Sequence, residues 1–451
     1  MRNKIIIKYG DDMKKISIWK ENAIIKKYSK LNENKKVDVL IIGGGITGAS
    51  IYYHLKNSKL NIMLVEQNKI GFGTTGNSTG KLSYLQNDLL DKIRKNYKDK
   101  KASMYLESQK RAIELIKNII KNEKIECDFE RVNSIIFTNK KEDINKIKSL
   151  ERFLEENNTK VYKGHLSILK NIYSIYVKDT YMFNPLKFTQ SLLDEGNIYE
   201  NTSIKKIKKQ DNYYRCYTDK NEIIAKSVVI ASHYPFFNFP FIFPLKSSLE
   251  KSYMSSSKYQ TNPISLISYS APFTSLRTYK DNVIYLNGSH TLNKNICNIK
   301  KFKKLIKKNE LKLKPNYIWS NIDIITNDGL PYIGKIKDNL LIATGYNTWG
   351  LTNGVLAGKI ISDIILNRDG SYIKLFNPLR MNKYICLGML KNIYNSASGY
   401  LKGLLKGKKK CPHMGCKLIY NKAESTWDCP CHGSRFDKDG KCISAPANRK
   451  I

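Results

Sequence analysis

Nine cysteines are unevenly placed in the 451-residue chain: Cys127, Cys216, Cys297 and Cys386 stand singly, and five crowd between Cys411 and Cys442. The start of the chain, MRNKIIIKYGDDMKKISIWK, has acids and lysines where a secretion signal needs an apolar core. Crowded thiols in such a chain point to metal or redox chemistry before a disulfide framework. Two of them pair with histidines, in the pattern Cys411-x-His413, fifteen residues, Cys429-x-x-His432. Two thiols and two imidazoles make a metal-ligand set, and tetrahedral zinc is one reading of it. A second chemical site lies near the other end. Residues 37–42 (VDVLII) read as a strand and run into Gly43-Gly44-Gly45-Ile46-Thr47-Gly48, followed by the helical pattern ASIYYHLKNS. In this GxGxxG, Gly43 permits a tight turn, Gly45 lets backbone approach a pyrophosphate, and Gly48 lets helix pack on strand. The next strand, residues 61–65 (NIMLV), ends at Glu66, eighteen residues past Gly48, where an acid can bind ribose hydroxyls. Together these features predict dinucleotide binding.

After Glu66 comes the loop GFGTTGNSTGKLS at residues 71–83. With it the chain resembles the D-amino-acid/glycine oxidase family of FAD-dependent oxidoreductases. In that family a glycine-, serine- and threonine-rich loop lies along the diphosphate and the flavin edge, which implies FAD-binding roles for Thr74, Thr75, Ser78 and Thr79. Three further stretches carry the resemblance: SVVIAS at 227–232, TNDGLPYIG at 326–334 followed by LLIATG at 340–345, and YNTWGLTNGVLAGKIISDIIL at 346–366. The last looks like the final flavin-binding turn and helix, implicating Gly345, Gly350, Thr352 and Asn353. A helix N-terminus near Thr352 to Gly354 directs partial positive charge at the ring's pyrimidine side. The second domain of this family roofs the flavin with a mixed sheet. Arg277, in SLRTY, is the candidate for a substrate carboxylate, because a guanidinium pairs bidentately with that group; a solvent-facing strand arginine is the plainer alternative. His290, after Asn287-Gly288-Ser289, is the other substrate-site candidate, and a loop histidine is its plainer reading.

The C-terminal pattern resembles a Rieske [2Fe-2S] domain, in which one iron takes two thiolates and the other two imidazoles. The resemblance makes Cys411, Cys429, His413 and His432 the ligands. It rests on CPHMGC (411–416), WDCPCHGSRF (427–436) and Ala445-Pro446-Ala447, which resembles the proline loop that shields the cluster. It also implies a disulfide between Cys416 and Cys431, and it puts Ser434 where a serine donates to a cluster sulfide. Phe436 replaces a tyrosine donor, and one donor of two implies an intermediate potential. One departure is plain: only SASGYLKGLLKGKKK precedes Cys411, where such domains have several strands. The module reads as truncated.

The elements that must hold these groups form an α/β chain. A Rossmann-type FAD-binding domain is expected from residues 37–94, 186–239 and 321–378. An inserted α+β substrate domain takes 95–185 and 240–320. An N-terminal extension (1–36), a basic helical linker (379–410) and a small β-rich Rieske-like module (411–451) complete the expectation. No stretch approaches the roughly 18 apolar residues of a membrane span; the most apolar patch, residues 234–245, is short and carries three prolines. The excess of 78 Lys+Arg over 39 Asp+Glu is spread along the length with much Ile and Asn, as low-GC codon usage produces, so no nucleic-acid partner is implied. Arg380 to Lys410 is denser, with eight cations and no acid. A solvated linker is its plain reading, with peripheral contact at a membrane face or an acidic partner as the alternative.

The resulting expectation is a cytoplasmic FAD enzyme oxidising a C–N bond of a small amine or amino acid, with electrons passed to a [2Fe-2S] cluster and on to an acceptor the sequence does not identify. The alternatives are oxidation of a hydroxy acid or polyol phosphate, and a flavin/iron–sulfur electron-transfer or redox-sensing protein without a small substrate.

Overall fold

The structure, a computed structural model, describes residues 13–21, 23, 26–164, 166, 168–169, 171–235, 242–271, 273–291, 311, 313–422 and 424–451. Residues 236–241 of the apolar patch at 234–245 fall outside these residues, as does the side chain of His290.

Strand Lys35–Ile42 is the centre of the first sheet, and its apolar run is buried from Val39 onwards. It pairs in parallel with Glu222–Ile230 on one side and Ile62–Val65 on the other. The order across the sheet is Tyr332–Lys337, Leu340–Thr344, Glu222–Ile230, Lys35–Ile42, Ile62–Val65, Asn197–Tyr199. A hairpin of Lys206–Gln210 and Tyr213–Tyr217 continues antiparallel from Glu222–Ile230. Near-continuous apolar strands are what a parallel sheet covered on both faces requires. One cover is helix Ile46–Leu55, crossed by helix Gly350–Ile365. A Cβ at Gly354 would stand 2.8 Å from Ile46 Cγ2, and one at Gly358 2.2 Å from Ser50 Oγ. Glycine is what lets these helices touch.

The second sheet has nine strands, in the order Pro315–Thr326, Ser247–Lys258, Asn282–Thr291, Thr274–Tyr279, Ser265–Ser268, Glu130–Thr138, Tyr173–Met182, Lys81–Leu82, with Tyr162–Lys163 beside Tyr173–Met182. The chain therefore enters this sheet at Lys81 and leaves it after Thr326, which shifts the boundaries drawn at 94 and 320. Helix Lys141–Glu156 packs on two of its strands, and helix Leu89–Asn122, in two runs joined at Lys98 (φ 63°), packs against helix Gly350–Ile365. The described residues 13–21 pack against the body of the fold. Trp19 is buried, its Nε1 donates to Ser78 O at 2.8 Å, and Lys20 Nζ donates to Asn77 Oδ1 at 2.7 Å, so this segment braces the loop at 71–80.

Residues 379–410 are likewise more than a linker. Arg380 makes a buried two-point pair with Asp328, Nε–Oδ2 2.7 Å and Nη2–Oδ1 3.0 Å. Asn382 then caps helix Lys383–Lys406 through Tyr384 N and Ile385 N. The C-terminal module is a five-stranded sheet: Lys409–Lys410, Lys417–Asn421, Thr426–Asp428, Arg435–Phe436, Cys442–Ser444.

Candidate functional site

A single cavity of about 550 Å³ joins the three parts, within the range of small-molecule and cofactor sites. Its floor is the glycine turn. Gly43 has φ +113°, and a Cβ there would stand 2.6 Å from Ala231 O, so only glycine fits. A Cβ at Gly48 would stand 1.9 Å from Gly43 O, which closes helix onto strand as its spacing predicts. Gly45 opens to the cavity, with Thr75 Oγ1 3.2 Å from a notional Cβ. Glu66 lines the cavity at the tip of Ile62–Val65 and accepts from Gly44 N at 2.9 Å and Asn68 N at 2.8 Å. Burial raises its pKa, and the two backbone donors oppose that. Thr74, Thr75, Ser78 and Thr79 also line the cavity, with Thr75 Oγ1 accepting from Ile46 N at 3.0 Å.

The far turn differs from expectation. Helix Gly350–Ile365 begins two residues early, and Trp349, Gly350 and Leu351 are what reach the cavity. Thr352 and Asn353 turn inward. Thr352 Oγ1 donates to Gln109 Oε1 at 2.7 Å, Gln109 Nε2 donates to Asn353 Oδ1 at 2.9 Å, and Asn353 Nδ2 donates to Tyr105 Oη at 3.2 Å. Their side chains thus tie the helix to Leu89–Asn122 and do not line the cavity. Gly345 (φ +76°) only makes the turn before them.

Arg277 requires a correction. It is buried and does not line the cavity. Its guanidinium is spent on carbonyls: Nη1 donates to Gly80 O at 2.7 Å, Thr79 O at 3.0 Å and Phe183 O at 3.2 Å, and Nε to Thr278 O at 2.9 Å. It also lies 5.3 Å from the Trp19 ring. With no fork left for a carboxylate, Arg277 holds the loop at 71–80. His290 lies on strand Asn282–Thr291 opposite Lys251, and its side chain is outside the described residues.

Charged groups that the sequence reading did not single out also line the cavity, Asp323 and Lys81 among them. Asp323, on Pro315–Thr326, lines it and has its carboxyl pushed up to about 7 by burial, with Glu250 on the neighbouring strand adding to the effect. Lys81 also lines it; Nζ donates to Leu266 O and Ser275 Oγ, both at 2.6 Å. Burial and the nearby Arg277 hold it well below the ordinary lysine range. Lys81 had a signal, since it follows the Gly/Ser/Thr loop directly. Asp323, one polar residue in a strand, had none.

The cavity's remaining wall comes from the C-terminal module: Arg435, Ile443, Ser444, Ala445, Ala447 and Asn448. Behind that wall stand the four expected ligands. Cys411 and Cys429 are buried and hydrogen-bonded to each other. The bond from Cys429 lowers the Cys411 thiol to about 6 while it raises Cys429, so the pair loses its first proton easily. The rings of His413 and His432 lie 5.1 Å apart at 87°. Burial lowers both, His413 to about 4, so both imidazoles are neutral and able to ligate. His432 Nδ1 is buried without a hydrogen-bond partner among the described residues, which is the condition of a ligand atom directed at a metal site. The sulfurs of Cys416, Cys429 and Cys431 lie within 4.8 Å, but Cys416 and Cys431 are bonded to each other, so the thiols available to a metal are Cys411 and Cys429. Ser434 is buried beside Cys411 and accepts from Ala447 N at 3.0 Å. This donor set fits a [2Fe-2S] centre, as the glycine turn and loop fit FAD.

The strands missing before Cys411 have substitutes. Helix Lys383–Lys406 lies on the module, where a Cβ at Gly399 would stand 2.3 Å from Pro430 O and one at Gly403 2.8 Å from Lys417 O. From the other side comes Lys251, a wholly buried lysine on Ser247–Lys258. It pairs with Glu424 and lies 3.9 Å from Asp428. Arg435 completes the network, bonding Glu424 and, at 3.1 Å, Asp428.

A Rossmann-type sheet with a glycine turn, a roofing sheet and a two-Cys, two-His module define a flavin-dependent oxidoreductase with an iron–sulfur domain. The chain belongs to the FAD dependent oxidoreductase family, matched over residues 38–364, and a Rieske [2Fe-2S] domain is matched over residues 399–451. It is 26% identical over 492 residues to YhfW of Bacillus subtilis (strain 168), named for a Rieske 2Fe-2S centre, covering 96% of each chain. Gamma-glutamylputrescine oxidoreductase of Escherichia coli (strain K12) is 31% identical over 115 residues, 26% of this chain and 27% of that one. The fold matches the crystal structure of glycine oxidase from Geobacillus kaustophilus at a TM-score of 0.64 and 15% identity, over 77% of this chain and 100% of that one.

Proposed function

We propose that the protein oxidises a C–N bond of a small amine or amino acid and delivers the electrons through its own iron–sulfur module. The observation that carries this reading is the shared cavity wall: the glycine turn and Glu66 line one side and residues 443–448 of the cluster module another. When bound, FAD accepts a hydride from carbon, and a [2Fe-2S] cluster carries electrons singly. The residues expected to hold FAD are Gly43, Gly45, Glu66 and Thr74 to Thr79, with Gly350 at the far turn. Cys411, Cys429, His413 and His432 are those expected to hold the cluster.

Asp323 supports an amine over a hydroxy acid. An ionised carboxylate in a half-buried site attracts an ammonium, which amines and amino acids carry and a hydroxy acid lacks, and among the described residues no free guanidinium lines the cavity once Arg277 is committed. Arg435, which also lines the wall, is already paired with Asp428 and Glu424. The names of gamma-glutamylputrescine oxidoreductase and glycine oxidase, both acting on amines, point the same way. Lys81, which burial holds well below the ordinary lysine range, is suited to hold or accept a proton at Nζ.

An anaerobic panel of small amines, amino acids and hydroxy acids, followed by flavin absorbance and cluster EPR, tests the reading. Amines or amino acids should bleach the flavin and then reduce the cluster. Bleaching by hydroxy acids alone, or by no member of the panel, overturns the proposed substrate class. A bleached flavin with an oxidised, unresponsive cluster overturns the relay.

A further inference from the structure

Helix Lys383–Lys406 buries one narrow stripe, Ile385, Asn392, Gly399 and Gly403. Residues seven, seven and four apart lie on one face at about 100° per residue. A surface helix should be polar on the opposite face. Here that face carries Leu387, Leu390, Tyr394, Leu401 and Leu405, exposed by 62, 66, 74, 62 and 84%. The concentration is local: of the fourteen large apolar residues with the greatest exposure among those described, ten lie between Leu379 and Leu405. Scattered exposed leucines need no explanation, but one continuous patch marks an interaction surface.

We propose that this outward face is an interfacial helix that docks the protein on a bilayer containing anionic lipid. The charges select this occupant. Lys391 and Lys402 lie along one edge of the apolar stripe, Lys383 stands at its start, and Lys406, Lys408, Lys409 and Lys410 at its end, with no acid between positions 380 and 410. An apolar stripe bordered by cations suits a helix lying in the headgroup plane, with leucines among acyl chains and lysine stems reaching the phosphates. A second copy of the chain fits poorly, because a symmetric contact along this helix sets lysines against lysines with no acid on the face to pair them. The helix does not cross the membrane, since none among the described residues is long and apolar enough. Gly399 and Gly403 seat it on Pro430, Lys417 and Cys416, so a docked helix holds the cluster module at the lipid surface.

The test uses the full-length holoprotein and sedimentation with phosphatidylcholine vesicles, with and without a phosphatidylglycerol fraction. The protein should partition onto the anionic vesicles, less strongly as salt rises. Leu390→Glu with Leu401→Glu should lower the partition coefficient by about tenfold or more, with flavin content and thermal unfolding unchanged because both side chains are already exposed. Lys402→Gln with Lys406→Gln should reduce the preference for anionic over neutral vesicles. Absence of binding to either vesicle, or binding indifferent to the leucine changes, overturns the proposal. So does a concentration-dependent dimer, seen by sedimentation equilibrium without lipid, that the same leucine variant disperses, since the face is then a self-contact.

Discussion

Lys251→Met removes a buried cation that the roofing sheet offers to the cluster module. In the wild type two carboxylates, Glu424 and Asp428, face two cations, Lys251 and Arg435, and all four are nearly shut off from water. Burial lowers the Lys251 pKa and the repulsion of Arg435 adds to it, whereas Asp428 stays ionised because Arg435 and Lys251 outweigh its burial. At the 3.9 Å separation of Lys251 and Asp428 the attraction is about 4 kcal/mol at an effective dielectric of about 20. Loss of the lysine also removes its desolvation cost, and Arg435 still screens the acids. The net loss should be about 3 kcal/mol, at the lower end of what a broken buried pair costs. That is roughly a 150-fold shift toward an undocked module, at 1.4 kcal/mol per tenfold. Limited proteolysis between residues 379 and 410, monitored with iron content, reads this directly, and FAD content reports on the rest of the fold. Pairing Lys251→Met with Glu424→Gln removes one charge of each sign and should recover at least half of the loss in a double-mutant cycle. A single variant within about 1 kcal/mol of wild type, or a double variant no better than the single, shows that the network does not hold the module.

Arg277→Met should lower stability by about 3 kcal/mol, because carbonyls of Thr79, Gly80 and Phe183 lose a buried donor. Denaturant unfolding and loss of FAD check this, and an unaltered fold with only weaker substrate binding returns Arg277 to a substrate role. Gly45→Val puts branched carbon beside Thr75 Oγ1, already 3.2 Å from a Cβ, so the purified variant should keep its circular dichroism and lose its yellow colour; full flavin content counts against the assigned turn. Asp323 has a raised pKa, so the stability it contributes is present below its ordinary value near 3.8 and is lost as pH rises through about 7. Amine affinity moves the opposite way, rising through about 7 as the carboxylate forms. Asp323→Asn should flatten both profiles, and an amine whose binding keeps its pH dependence in that variant excludes Asp323 as its partner.

The parts legible in the sequence are those where one residue type meets a local demand. Gly43 must adopt positive φ and Gly48 must touch the Gly43 carbonyl, so the turn is visible in the spacing alone. Thiols and imidazoles at ligand spacing are equally local. What the sequence hid depends on partners far along the chain. Arg277 has the right chemistry for a carboxylate, but its acceptors are backbone carbonyls at 79, 80 and 183 that a strand pattern does not identify. Thr352 and Asn353 follow the turn as expected and are claimed by Gln109 and Tyr105, residues contributed by a distant helix. The short lead-in to Cys411 looks like a truncation in the sequence. Replacement of the missing strands by a lysine at 251 and two glycines at 399 and 403 involves three positions that nothing in a local pattern links.

The wall that residues 435–448 give the cavity has a consequence for how this chain can change over evolutionary time. A flavoprotein and an electron-carrying domain joined only by a tether can be shuffled, lost or exchanged with their sites intact. Here a cut before residue 379 would strip one side from the cavity, take from Lys251 its acids, and free Asp328 from Arg380. The shape of the cavity and the C-terminal module are thus inherited as one trait. A change at Ile443 or Ala445 is a change to the cavity as much as to the shield of the cluster, and descendants that dispense with the cluster must rebuild that wall from something else.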